Sequence, residues 1–128
     1  IDDNFLNFWF RFVYKYRSVI EIENFDYVKE IIKRDYPVYV GRILEKYFRE
    51  KLILTKCYSA IGSYWESGNQ NEIDIIAINE LEKQMLIGEV KHNPCALNMK
   101  ILEEKAHNIV ASHSKYMIQY VGFSIDDM

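Results

Sequence analysis

The chain has 128 residues, of which 49% are hydrophobic and 15% aromatic, so it can bury one core but not two. Its 16 lysines and arginines against 19 aspartates and glutamates give a net charge of -3, which excludes a general electrostatic attraction to nucleic acid. Any binding of phosphate must therefore come from a local group of cations.

Two features of the composition exclude other classes of protein. The aromatic run between Phe5 and Val13 is interrupted by charge and is far shorter than the roughly 20 apolar residues that a membrane span needs. Cys57 and Cys95 match no zinc-ligand spacing, which indicates reduced thiols in a cytoplasmic protein. Since the chain starts at Ile1 and opens on aromatics that need a partner surface, we expect a fragment of a larger protein.

Three helices are predicted in the first half of the chain, because apolar residues recur there every three or four positions. They run from Asn4 to Ile20, from Asn24 to Arg34 and from Val38 to about Thr55. Asn24 is a suitable N-cap for the second helix, and Pro37 marks the start of the third.

The apolar period then changes to two, which predicts strands. The predicted strands are 58–65, 72–78, 84–91 and 116–123, with turns at 68–70 and 79–83 and a helix over 98–112 after Pro94. Short turns make the first three strands an antiparallel meander, and the crossover helix lets the fourth strand join in parallel.

The predicted fold class is therefore α/β, with an α-β-β-β-α-β core and a mixed central sheet preceded by N-terminal helices. Residues 1–35 are predicted to form a helical lead-in segment that packs on the core. Residues 36–128 are predicted to form the main domain, as a single compact unit.

An acid and a base share one face of the predicted third strand. Alternation places Glu89 and Lys91 on the same side of that strand, and it places Asp74 on the same side of the second strand as Ile76. Adjacent antiparallel strands can then bring Asp74 beside Glu89. Such a pair of carboxylates suits Mg²⁺, which prefers oxygen ligands, and the carbonyl of Val90 is a candidate for a further ligand.

Each candidate residue has a functional and a simpler interpretation. Lys91 is expected to activate the attacking water and to stabilise charge in the transition state, or else to form an ordinary ion pair with Glu89, worth roughly 0.2 to 1 kcal/mol. Glu45, at the edge of the third helix, either orients the site through water or pairs with Arg49 at i+4. Glu72 is either an alternative ligand or a solvated residue at the start of its strand.

The order of these residues resembles the PD-(D/E)XK nuclease superfamily, in which a helix acid, a strand Asp and a Glu-x-Lys follow one another. The matches are Glu45, Asp74 and Glu89-Val90-Lys91, with Ile73 where the superfamily has proline. More closely, the segments FWFRFVYKYRSVIE, GRILEKYFREKL, IGSYWE, NEIDIIAI and IGEVKHN resemble the domain-of-unknown-function family 234. This family occurs at the C-terminus of uncharacterised prokaryotic P-loop AAA ATPases of the archaeal type.

The resemblance implies a restriction-endonuclease-like core that hydrolyses DNA phosphodiesters with Mg²⁺, or Mn²⁺ as a substitute. It also implies an upstream ATPase domain as the partner and the place where ATP binds, and cleavage of both strands would favour a homodimer. The alternative is a non-catalytic DNA-binding or protein-docking module attached to the ATPase, which the acidic net charge and the aromatic first helix favour.

Overall fold

The computed structural model of the chain describes residues 3–69 and 71–128. These residues divide into two compact units, one up to Ile43 and one from Leu44 onward. The division after residue 35 that the sequence suggests stays a prediction. In the part of the chain that the structure describes, no helix is long and apolar enough to cross a membrane.

The first unit is helical. It contains α1 (Asn4–Phe8), a π-helical turn (Trp9–Tyr14), α2 (Arg17–Glu21) and the first part of α3 (Phe25–Leu54). Phe12 is fully buried, with its ring 4.9 Å from that of Phe8 and 5.5 Å from that of Tyr39. Phe12 therefore packs inside this unit, whereas Phe5 and Trp9 are exposed.

Two predictions about the leading helices are wrong. The segment from Asn4 to Ile20 is not one helix, because the π-helical turn and a break at Tyr16 interrupt it. Eleven of the 17 positions there are apolar and they lie on more than one side of a helix, so a spacing of three and four cannot reveal an inserted residue. The second and third predicted helices are one helix, α3, with Pro37 inside it.

Burial on both sides of Pro37 explains why α3 continues. A proline inside a helix removes one hydrogen bond and costs roughly 3 kcal/mol. The helix buries Val28 and Ile31 before the proline and Leu44 and Phe48 after it, which offsets that cost. The predicted cap is present, since Asn24 Oδ1 accepts a hydrogen bond from the Tyr27 N–H at 3.4 Å.

The second unit contains the sheet, and the strand predictions are confirmed to within two residues at each end. The strands are β1 (Ala60–Trp65), β2 (Glu72–Asn79), β3 (Gln84–Val90) and β4 (Met117–Phe123), in the order β1-β2-β3-β4. β1, β2 and β3 are antiparallel neighbours, and β4 pairs with β3 in parallel. The α-β-β-β-α-β order and the mixed sheet are therefore those expected from the sequence.

Connections between the strands follow the predicted turn chemistry. Gly68, with φ of 80°, lies in a short 3-10 turn, and Lys83, with φ of 54°, closes the turn before β3. The predicted turn residue Gln70 lies outside the described residues. The crossover consists of α4 (Met99–Lys105) and α5 (His107–Ser112), not one helix, because the backbone turns at Ala106.

One face of the sheet and the crossover helix form the core of the second unit. Leu102 of α4 and Ala106, the C-cap of that helix, pack with the sheet residues Ile76, Met85 and Ile87 in one buried cluster. Both cysteines are free thiols at exposed positions, as the sequence indicates. The crossover helix therefore covers the face that carries the odd-numbered side chains of β3.

Candidate active site

The candidate residues lie at one end of the central strand pair, where β2 begins and β3 ends. Ile75 pairs with Gly88 in this antiparallel ladder. The next residues beyond that pair are Asp74 on β2 and Glu89 on β3. Because antiparallel strands run in opposite directions, both acids emerge at the same end of the sheet.

A β-bulge in β2 lies in the stretch that contains Asp74. Gly62 of β1 pairs with Ile76, and two residues further along β1, Tyr64 pairs with Ile73. β2 therefore has one residue more than β1 in this stretch, and Ile73 joins the same buried cluster as Ile76. The regular alternation of β2 is therefore interrupted between Ile73 and Ile76, because a bulge inserts an extra residue, and the predicted side of Asp74 stays a prediction.

Asp74 is fixed by the backbone of the Glu-x-Lys segment. Its Oδ2 accepts a hydrogen bond of 2.9 Å from the N–H of Val90, and the residue is half-buried. A carboxylate that accepts a backbone N–H forms a charge-assisted hydrogen bond, which holds it more firmly than a neutral contact would. Asp74 and the residue next to Glu89 are therefore in direct contact, as a shared site requires.

Glu89 is a buried carboxylate held by two lysines. Its side chain is only 8% exposed, and its Oε1 lies 3.4 Å from Lys105 Nζ and 3.9 Å from Lys91 Nζ. A charge taken out of water needs a partner of opposite charge. The contact with Lys91 is the ion pair that the sequence offers as the alternative to a catalytic role, so a role for Lys91 in chemistry stays a prediction.

Sequence reasoning missed Lys105, the last residue of α4. The helix begins at the cap residue Asn98, whose Oδ1 accepts hydrogen bonds from the N–H groups of Lys100 and Ile101. Lys105 follows the buried Leu102 by three positions, which places it on the helix face that covers the sheet. That spacing is a signal available from the sequence, but only once the helix is known to cross the strand that carries Glu89.

Lys91 and Glu45 occupy different surroundings. Lys91 continues the parallel ladder, since its N–H donates to Phe123 O at 3.0 Å, and its side chain is 45% exposed. Glu45 lies on α3, where its Oε2 is 3.9 Å from Arg49 Nη1. That is the i,i+4 pair which the sequence offers as the alternative to a role in the site, so a role for Glu45 in chemistry stays a prediction.

Two glycines allow the close packing around Glu89. A Cβ on Gly88 would lie 2.9 Å from the ring of Phe123, which is itself stacked on Phe48 with centroids 4.8 Å apart. A Cβ on Gly122, the partner of Glu89 in β4, would lie 2.8 Å from Leu97 Cδ1. Gly88 thus makes room for the ring of Phe123, and Gly122 makes room for the side chain of Leu97.

A second polar cluster ties down the connection that leads into β2. Glu66 accepts hydrogen bonds from Asn71 at 2.9 Å, from Asn108 of α5 at 2.9 Å and from the Tyr64 hydroxyl at 3.1 Å. The bonds from Asn71 and Asn108 lower the pKa of Glu66 below its ordinary value. This cluster links both ends of the β1-β2 connection to the crossover.

Comparison with known proteins now gives the family. The model of the domain-of-unknown-function family 234, described as "Archaea bacterial proteins of unknown function", matches residues 9–109. The chain belongs to this family. An uncharacterized protein of Methanocaldococcus jannaschii is 42% identical to the chain in a 98-residue alignment that covers 71% of the chain and 21% of that protein. No solved structure matches the chain.

Asp74, Glu89 and the carbonyl of Val90 are the candidate ligands for a hard divalent cation. Among residues 3–69 and 71–128, no group of three or more His, Cys, Asp or Glu side chains is gathered closely enough to hold a metal ion. Mg²⁺, however, uses only one or two carboxylates and completes its shell with water and phosphate oxygens. Asp74 and Glu89 would supply those carboxylates, and the carbonyl of Val90 would supply a backbone oxygen.

Proposed function

We propose that this domain hydrolyses phosphodiester bonds of DNA with the help of Mg²⁺, or of Mn²⁺ in its place. The observation that carries the proposal is the buried Glu89 carboxylate, which two lysines share, next to a second carboxylate fixed on the Glu-x-Lys backbone. Burying a charged carboxylate is costly, and buried ionisable groups cluster at functional sites.

The side chains divide the chemistry between them. A bound cation would supply the positive charge that draws electrons from the scissile phosphate. Asp74 and Glu89 would hold it, and Val90 would add its carbonyl. Lys91, half-exposed and beside Glu89, would orient the attacking water and stabilise the negative charge of the transition state. Glu45 is proposed as an accessory acid.

Local features support nucleic acid as the substrate in spite of the acidic net charge. Lys91 and Lys105 place two ammonium groups at one end of the sheet, where they balance the carboxylates of Asp74 and Glu89 until a cation binds. Trp65 ends β1 at the same end, paired with Glu72 at the start of β2, and is 65% exposed. An exposed indole provides a surface on which a base can stack.

The wider context is also part of the proposal. The chain corresponds to 21% of the length of the related archaeal protein, so the activity of the whole protein is a separate matter. From the family resemblance we propose an AAA-type ATPase domain as the partner, ATP binding in that domain alone, and a homodimer that would place two sites on duplex DNA.

Cleavage of plasmid and single-stranded DNA with Mg²⁺ or Mn²⁺ tests the proposal. We expect cleavage by the wild type and its loss in Asp74→Asn, Glu89→Gln and Lys91→Ala, because each removes a ligand or the activating cation. Lys100→Ala, an exposed lysine of α4, is the matched control and should cleave normally. A folded wild type that cuts neither substrate, or Lys91→Ala protein that cuts as well as the wild type, would contradict the proposal.

A second function has a specific observation in its favour. The first unit exposes the aromatic side chains Phe5, Trp9, Phe10 and Tyr14, an apolar set that suits a docking surface. A non-catalytic module that docks a protein or DNA would use such a surface. Under this alternative Lys91→Ala leaves the function intact, whereas Trp9→Ala impairs it.

A further inference from the structure

We propose that Lys105 is a phosphate-contacting residue that occupies Glu89 in the metal-free protein and moves to the substrate when a divalent cation binds. The inference rests on the proposed metal site. It adds a residue that lies outside the Glu-x-Lys pattern and assigns it two alternative partners. The contact between Lys105 and Glu89 is then one state of a switch in charge pairing.

The charged side chains of the metal-free site balance one another. Asp74 and Glu89 carry two formal negative charges, and Lys91 and Lys105 carry two positive ones, so the group is neutral. Lys105 makes the closer contact with Glu89 Oε1, 3.4 Å against 3.9 Å for Lys91, and is the less exposed of the two, 30% against 45%. Lys105 is therefore the principal counter-ion of the buried carboxylate.

A bound divalent cation would change the charge balance of the site. A cation bound to Asp74 and Glu89 lies about 2.1 Å from their oxygens, and so within a few ångströms of the Lys105 ammonium. The same four side chains then carry a formal charge of +2 with the ion included. Like charges this close repel, and Lys105 loses its reason to stay on Glu89.

A bound phosphodiester would offer the Lys105 ammonium a new partner. A phosphodiester bound at the cation brings a negative oxygen to the same few ångströms. The long, flexible lysine side chain reaches such an oxygen without movement of α4. Burial of Leu102 and Ala106 in the core keeps the helix in place while the side chain changes partner.

Titration of Mn²⁺ and Mg²⁺ into the 128-residue chain tests the first half of the switch. We expect Lys105→Met to bind the metal more tightly than the wild type, on the order of tenfold, because a competing cation a few ångströms away is gone. Lys105→Arg keeps the charge and should bind metal like the wild type. Lys100→Met, about 140° away around the same helix, is the control and should change nothing.

Binding of a labelled DNA oligonucleotide tests the second half, with Ca²⁺ as the divalent ion. With the ion present, Lys105→Met should bind more weakly, and the slope of log affinity against log salt should be smaller by about one. Without the ion the substitution should have little effect, since Lys105 is engaged with Glu89. A residue that serves only the fold, or only as a surface charge, would show the same effect in both conditions.

The outcomes separate this inference from the function on which it rests. Wild type that binds no divalent ion overturns both. Wild type that binds metal, with loss of binding in Glu89→Gln, keeps the proposed site. If Lys105→Met then binds metal no more tightly, or loses DNA affinity equally with and without the ion, the inference about Lys105 alone is wrong.

Discussion

The two lysines on Glu89 should stabilise the fold in a non-additive way. At 3.4 Å and 3.9 Å, the gross attraction of each ammonium to the carboxylate is about 4 to 5 kcal/mol at an effective dielectric constant near 20. Solvent reaches 30% of Lys105 and 45% of Lys91, so most of that attraction is screened. When one lysine is removed, the other still neutralises Glu89, and we expect a cost of about 1 kcal/mol or less.

Removal of both lysines is different, because a carboxylate that is 8% exposed then has lost both of these counter-ions. An uncompensated buried charge costs about 3 to 5 kcal/mol. We therefore expect Lys91→Met with Lys105→Met to cost about 3 kcal/mol, against less than about 2 kcal/mol for the sum of the single variants. Adding Glu89→Gln to the double variant should restore most of the loss, since the amide carries no charge.

Urea unfolding at pH 7, followed by circular dichroism, measures the free energy of unfolding of all five proteins. The slope against urea should be the same in each, which shows that the same surface is exposed. Costs of the two single variants that add up to that of the double variant would refute the shared-carboxylate account. So would a double variant that Glu89→Gln fails to rescue.

Two further predictions concern the surroundings of the site. Gly88→Ala should lower the free energy of unfolding by about 1 to 3 kcal/mol, because the new methyl would meet the stacked ring of Phe123 at 2.9 Å. Gly122→Ala should cost less, because its methyl would meet the ends of flexible side chains. Equal costs of the two variants in thermal unfolding would contradict this prediction. The lowered pKa of Glu66 means that its contribution to stability is present above pH 4.5 and is lost as the pH falls through the lowered value. Asn71→Ala should raise the pKa of Glu66 and weaken the loss of stability in acid. NMR of the carboxyl group measures the pKa, and urea midpoints at several pH values measure the stability. An unchanged pKa would contradict the role of the hydrogen bond from Asn71.

The sequence predicted the sheet well because its signals there are unambiguous. The run from Ile73 to Ile78 is apolar except for Asp74, and turn residues such as Gly68 and Lys83 lie on either side of the strand. Parallel pairing of β4 followed from the length of the crossover alone. The leading helices were harder to predict, since apolar residues on several sides of this segment fit a π-helical turn as well as an α-helix.

The site was only partly predictable for a related reason. Alternation places Glu89 and Lys91 side by side, and their charged ends lie 3.9 Å apart, although Lys91 follows the last residue of β3. The bulge beside Asp74 is invisible to alternation, since it depends on which residue of β1 pairs with Ile73. Lys105 depends on where α4 crosses the sheet, which no local pattern contains.

The central claim is that Asp74 and Glu89 form one binding site for a divalent cation, and calorimetric titration of Mg²⁺ and Mn²⁺ tests it most directly. Asp74→Asn and Glu89→Gln are suitable variants because each keeps the shape of the side chain, and Glu80→Gln, an exposed residue beyond the far end of β2, is the control. We predict binding by the wild type and the control and loss of binding in both site variants. No binding by folded wild type at millimolar metal, with and without DNA, or binding that survives both substitutions, would contradict the account.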